Sequence, residues 1–172
     1  ARLSPDGNFV TFRLTKSSNG KNTIVPNYVT NSGFTENIPA RTKVGAAQNT
    51  SDFFVYDIKR DTVLQVKVDE VPGITEKPAF VKDDSKEKKP VNRAVTFFGP
   101  IWSDDGKQAA LMLRAVDNKD RWIVLLDVST QKLTPVHRLH DDAWVGGPGS
   151  FSMGWITNTS LWFISEETGY AH

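Results

Sequence analysis

Cysteine is absent from all 172 residues, which removes disulfides, zinc-thiolate centres and thiol nucleophiles together. Long apolar runs are missing as well: no stretch approaches the roughly 20 residues that a membrane-spanning helix requires. Charge of one sign is also scarce. The chain carries 21 Lys and Arg against 20 Asp and Glu, for a formal net charge of +1. These charges are interspersed, so there is no concentrated basic face of the kind that phosphate backbones need, and nucleic acid is not an expected partner. Helical periodicity is wanting throughout, and residue 1 opens inside a structured motif with no signal-peptide pattern ahead of it, so the N-terminus carries no address. What remains, at 38% hydrophobic residues, is enough for an ordinary packed core.

What the chain does have is a recurring turn. Arg2-Leu3-Ser4-Pro5-Asp6-Gly7-Asn8-Phe9-Val10 and Ile101-Trp102-Ser103-Asp104-Asp105-Gly106-Lys107-Gln108-Ala109 each close on Asp-Gly ahead of a strand, and Trp155-Ile156-Thr157-Asn158-Thr159-Ser160 is a worn third copy. Asp-Gly supplies a positive-φ residue where a tight hairpin needs one, and Pro5 pre-sets φ one position earlier. Recurrence at long spacing, among strands and without helices, points to a β-propeller.

Strands group accordingly. One complete four-stranded blade is expected over 94–140: a strand at Ala94 to Trp102, then Lys107 to Ala115, Arg121 to Val128 and Leu133 to Leu139, with turns between them. Trp102 and Trp155 lie 53 residues apart, about one repeat, so 141–172 opens the next blade with a strand at Phe151 to Trp155 and another at Ser160 to Ser165. The interval from Leu3 to Trp102 is 99 residues, room for two blades or for one with inserts. Strands at Asn8 to Leu14, Asp52 to Ile58 and Thr62 to Val68 favour one blade over 1–93, carrying inserts at 15–51, where only Thr23 to Val29 reads as a weak strand, and at 82–93, a charged stretch that reads as a solvated loop. The expected fold is therefore all-β: a partial β-propeller of antiparallel four-stranded blades, about two blades' worth and not closed. The expectation that follows is a fragment of a larger parent, since exposed sheet edges would otherwise be left unpaired.

One segment is more specific than a generic propeller. Trp144-Val145-Gly146, followed by Ile164-Ser165-Glu166-Glu167, Gly169-Tyr170 and His172, resembles the N-terminal propeller of the dipeptidyl peptidase IV branch of the prolyl oligopeptidase family. The resemblance covers roughly 94–172 well and 1–70 loosely. It implies a parent serine peptidase, periplasmic or extracellular, in which the propeller caps a hydrolase domain and filters peptide substrates by size. The partners implied are thus a peptide and the hydrolase domain of the same protein, with no cofactor or metal. Such hydrolase domains carry their nucleophile on a Gly-x-Ser-x-Gly elbow, and none occurs here; Gly149-Ser150-Phe151-Ser152 lacks the second glycine, so no catalytic residue is expected in this chain. A propeller of the TolB type that only binds other proteins is the alternative, since it too carries Ser-Pro-Asp-Gly turns.

Among individual residues, Glu166 and Glu167 are the candidates for substrate binding, because paired carboxylates can grip a free ammonium group. The family places its acidic pair in an earlier part of the propeller, so the expected role here is a hairpin. His137, His140, Asp141 and Asp142 are metal-capable, but Pro135 and the strand pattern break any helix, and a connecting loop is expected. Gly146-Gly147-Pro148-Gly149 has no helix behind it to make a phosphate cradle and reads as a crossing between blades, with Trp144 beneath it. Trp102, Trp122, Trp155 and Trp162 lie on strands and are expected to pack where blades meet. Asn49-Thr50-Ser51 and Asn158-Thr159-Ser160 match glycosylation sequons.

Overall fold

The computed structural model describes residues 1–43, 45–76 and 90–172, and among these every regular element is a strand. In chain order they are β1 (Arg2–Leu3), β2 (Phe9–Lys16), β3 (Asn22–Asn27), β4 (Glu36–Thr42), β5 (Thr50–Asp57), β6 (Thr62–Val66), β7 (Val95–Trp102), β8 (Ala109–Ala115), β9 (Asp120–Leu126), β10 (Leu133–His140), β11 (Met153–Thr157) and β12 (Ser160–Phe163). They form antiparallel sheets in the orders β1-β2-β5-β6 and β10-β9-β8-β7, with β11-β12 and β3-β4 as two-stranded pairs. This is an unclosed, partial β-propeller. The chain divides into two compact units, one of Ala1–Leu14 with Ser51–His172 and one of Thr15–Thr50.

In the first unit the core lies between the two four-stranded sheets. β8 (Ala-Ala-Leu-Met-Leu-Arg-Ala) and β9 read as nearly continuous apolar runs, the pattern of strands covered on both faces, and both are buried along almost their whole length. Alternation then sorts the residues by face. Ala109, Leu111, Leu113 and Ala115 of β8, with Trp122, Val124 and Leu126 of β9, join Phe53, Val55 and Val66 of the first sheet in one cluster. Phe53 and Phe97 stack across the junction with ring centroids 5.4 Å apart. On the opposite face, Phe98 meets Phe151 at 5.0 Å.

The recurring turns share one wiring scheme. Ser4 Oγ donates to Asp6 Oδ1 (2.5 Å) and accepts from the Phe9 amide (2.9 Å), while the Gly7 amide reaches the Ser4 carbonyl (2.9 Å). Ser103 repeats this with Asp105 (2.8 Å), the Gln108 amide (3.0 Å) and the Gly106 amide (2.9 Å). The hydroxyl thus serves as a small template for the turn, and the aspartates that receive it are held below their ordinary pKa, first by that serine. In the third copy Thr157 Oγ1 accepts from the Thr159 and Ser160 amides. The three copies also touch. Pro5 packs against Gly106, and the Asp105 amide donates to Asn158 Oδ1 (3.1 Å). Ser103 is buried, so Ser103→Ala strips two bonds from an enclosed turn; the expected loss is about 1 kcal/mol, read as a fall of roughly 2–4 °C in thermal melts.

The second unit departs from its sequence-based reading. Thr15 to Ser51 reads as a polar insert with a single weak strand, yet it forms a hairpin in which β3 pairs with β4, Val25 opposite Ile38 and Pro26 opposite Asn37. β4 escapes propensity because Asn37 and Pro39 are poor strand formers; cross-strand pairing organises it instead. The charged stretch expected to be a solvated loop over 82–93 lies outside the described residues except for 90–93.

Candidate functional site

Charged residues inside apolar strands mark the chemically unusual part of the first unit. Asp120 opens β9 with its side chain wholly buried. Its carboxylate accepts from Arg93 Nη2 at 2.6 Å, from Arg138 Nε at 2.7 Å and meets His140 Nδ1 at 3.0 Å. Arg138 pairs onward with Glu76; Arg93 reaches Asp117 (3.1 Å) and the Gly73 carbonyl (2.9 Å) and lies 5.5 Å over the Trp122 ring. Trp122 Nε1 donates to the Pro72 carbonyl at 2.8 Å, so one buried cluster fastens the Val71 to Glu76 segment to β9 and β10. Burial pushes the Asp120 carboxyl up, but the bonds from Arg138 and Arg93 outweigh it and hold the group below its ordinary value.

A second cluster surrounds the loop that follows β10. Asp141 Oδ1 accepts from the Ala143 and Trp144 amides (2.6 and 2.8 Å) and turns the chain away from the strand. Two arginines then hold the loop by its carbonyls: Arg114 Nη2 donates to Val145 (2.9 Å) and Arg121 Nη1 to Ser150 (2.8 Å). Nε and Nη2 of Arg121 have no partner among the described residues, and burial pulls its guanidinium below the ordinary value against the attraction of Glu166. Above the loop, Ser165 and His172 exchange backbone bonds (2.9 and 3.1 Å) and close a tight turn that carries both glutamates. Glu167 Oε2 meets His137 Nε2 at 3.1 Å, whereas the Glu166 carboxylate lies over Gly147, whose φ of +92° suits glycine and whose missing Cβ makes the room. The two carboxylates thus have different neighbours.

The remaining candidates sort as follows. His137 and His140 project from β10, and His140 bridges Asp120 and Asp142 through its two ring nitrogens (3.3 Å to the latter), but among the described residues no group of three or more such side chains is arranged to hold a metal ion. Gly146 leads into a turn that the Ser150 amide closes on the Gly147 carbonyl (3.3 Å), with no helix behind it. Trp122 is fully buried and Trp155 anchors to the Ile101 carbonyl (3.2 Å). Trp144 lies against Gly146, as expected of a residue beneath that crossing, but is 67% exposed; Trp162 lies against Gly154 and, at 42% exposed, departs from the packed position expected of it. Both sequon asparagines spend their side-chain oxygen on a backbone amide, Asn49 on Ser18 (2.8 Å) and Asn158 on Asp105. An open cavity of about 360 Å³ lies at β1, β2 and β7; Arg2 and Arg13 on its wall each donate to a β7 carbonyl (2.9 Å).

Comparison with known proteins turns on the backbone. No protein-family model and no curated protein matches the chain. A solved structure does: the crystal structure of Porphyromonas gingivalis dipeptidyl peptidase 4 matches over 99% of this chain with a TM-score of 0.66, at 14% sequence identity. The fold is similar to that of a segment of this dipeptidyl peptidase 4. The chain spans 21% of that structure's length. Sequence reasoning reached Glu166, Glu167 and the histidines but passed over Asp120, Arg93, Arg114, Arg121 and Arg138. The available signal was charge placed where neighbours are apolar, as Arg114 is within Ala-Ala-Leu-Met-Leu-Arg-Ala, since such residues are rarely buried without partners.

Proposed function

We propose that this chain is a non-catalytic propeller segment of a dipeptidyl peptidase IV-like serine peptidase, which gates and orients peptides for a hydrolase domain carried elsewhere in the same protein. The observation that carries this reading is the fold match along nearly the whole chain. It is supported by the Trp144-Val145-Gly146 and Ser165-Glu166-Glu167 segments, which converge in the structure on a single loop cluster fixed by Arg114 and Arg121. The segment contributes chamber shape and water exclusion, not bond making. Glu166 and Glu167 serve the loop locally and do not form an ammonium clamp, since one carboxylate is engaged with His137 and the other packs over Gly147.

The test uses the full-length parent protein. It is expected to release dipeptides from substrates with proline at the second position and to be labelled by a serine-directed fluorophosphonate. Absence of both turnover and labelling would overturn the reading in favour of a binding propeller. Periplasmic or extracellular location forms part of the same proposal; among the described residues no helix is long and apolar enough to cross a membrane.

A further inference from the structure

Two arginines face each other across the second sheet. Arg114 of β8 and Arg121 of β9 are register partners, so their side chains leave the same face from directly opposed positions. Like charges placed in this way repel, and burial strengthens the repulsion: Arg121 is 2% exposed and Arg114 is half-buried. Each spends one nitrogen on a loop carbonyl, Arg114 Nη2 on Val145 and Arg121 Nη1 on Ser150. Three further nitrogens, Nε of Arg114 with Nε and Nη2 of Arg121, are buried without a hydrogen-bond partner among the described residues.

Charge balance sets this pair apart from Arg93. That residue also keeps an unpartnered Nε, but its guanidinium sits on the carboxylates of Asp117 (3.1 Å) and Asp120 (2.6 Å), so its charge is met. Among the described residues, neither Arg114 nor Arg121 has a carboxylate in ion-pair contact; what they touch is the two carbonyls and, for Arg114, the Phe151 ring at 5.3 Å. Glu166 is the acid whose charge reaches Arg121, from its place over Gly147. Two cations against one detached carboxylate leave a positive excess. A water molecule satisfies a donor but carries no charge, whereas a small anion does both. Enclosure then limits its size. Arg121 is covered by this chain's own residues, so the partner must be compact, and a single-atom halide suits such a place better than sulfate or phosphate.

We propose that Arg114 and Arg121 hold a chloride ion through Nε of the first and Nε and Nη2 of the second, and that the ion fastens the 145–150 crossing to β8 and β9. The chloride offsets the repulsion of the opposed guanidiniums and so steadies their bonds to the Val145 and Ser150 carbonyls. Glu166 competes with it for the same positive field.

The full-length parent protein is melted in sodium chloride from about 1 to about 300 mM, with gluconate holding the ionic strength constant. The transition is expected to rise by roughly 2–4 °C, and bromide is expected to substitute for chloride. In crystals grown with bromide, an anomalous-difference peak is expected within hydrogen-bond reach of Arg121 Nε and Nη2. Arg114→Gln, which removes the opposed cation, is expected to abolish the halide dependence. Glu166→Gln, which removes the competing carboxylate, is expected to lower the half-saturating chloride concentration at least about threefold. An ordered water in place of the bromide peak would overturn the proposal, as would a peak without stabilisation, which marks an adventitious ion only. Halide dependence retained in Arg114→Gln, or unmoved by Glu166→Gln, would overturn it too. Should Arg114→Gln fail to fold, the bromide peak and the Glu166→Gln shift decide alone.

Discussion

Asp120→Ala is expected to destabilise the first unit by about 3–5 kcal/mol, the range observed when one member of a buried ion pair is removed. The substitution leaves Arg93, whose side chain is 9% exposed, and the Nε of Arg138 without their shared acceptor. Since a typical domain is stable by roughly 5–15 kcal/mol, the alanine variant sits near the limit of folding. Asp120→Asn keeps the shape and one acceptor oxygen and is expected to lose less. The pH profile distinguishes a charge effect from a packing effect. Asp120 and Glu76 are both held below ordinary carboxylate values, Asp120 by Arg138 and Arg93 against its burial and Glu76 first by Arg138. Their contribution is therefore complete above the unfolded-state value of about 4 and is lost as pH falls through the lower folded values. Thermal melts of the parent chain should hold level near neutrality and drop on acidification below about pH 4, and Asp120→Asn should flatten that drop. An alanine variant within about 1 kcal/mol of the parent would mean that the cluster is dispensable.

Trp122→Ala is the second large effect, expected at about 3–5 kcal/mol from the lost transfer energy and the cavity left in a junction covered on both sides. The Pro72 carbonyl also loses its donor, and Arg93 loses the ring beneath it. Trp122→Phe retains most of the volume and separates the two contributions; it should recover most of the loss, leaving a residue of about 1–2 kcal/mol for the missing N–H. Because Trp122 and Asp120 share Arg93, combining Trp122→Ala with Asp120→Ala should cost less than the sum of the two, with a coupling of about 0.5–3 kcal/mol in urea denaturation. Strict additivity would show that Arg93 does not link them.

Much of the architecture was legible from residues because its elements announce themselves locally. Asp-Gly turns and alternating strands specify hairpins through short-range geometry, and the expected strands at Ala94 to Trp102 and Lys107 to Ala115 correspond to β7 and β8 with their ends trimmed at the turns. β4 was not legible, since its stability comes from pairing with β3 and not from its own composition. The site was less legible for the same kind of reason. Glu166 and Glu167 adjoin in sequence, which suggests a pair, but the tight turn from Ser165 to His172 sends their carboxylates to different neighbours. Asp120, Arg93 and Arg138 are 18 to 27 residues apart where they bond and reach one another only after the sheet has formed, so no local window reveals them.

The contact of Pro5 with Gly106 has a consequence for how such repeats can change. A side chain at 106 would meet the proline ring at 2.9 Å and would also have to adopt a φ of +69°, so glycine there is demanded twice, once by its own turn and once by the turn beside it. Asn158, in turn, supplies the oxygen that Asp105 uses. The copies are therefore not interchangeable units. Each is keyed to the one before and the one after, and shuffling or duplicating a blade would place mismatched corners side by side, so drift in one turn must be answered by drift in its neighbour.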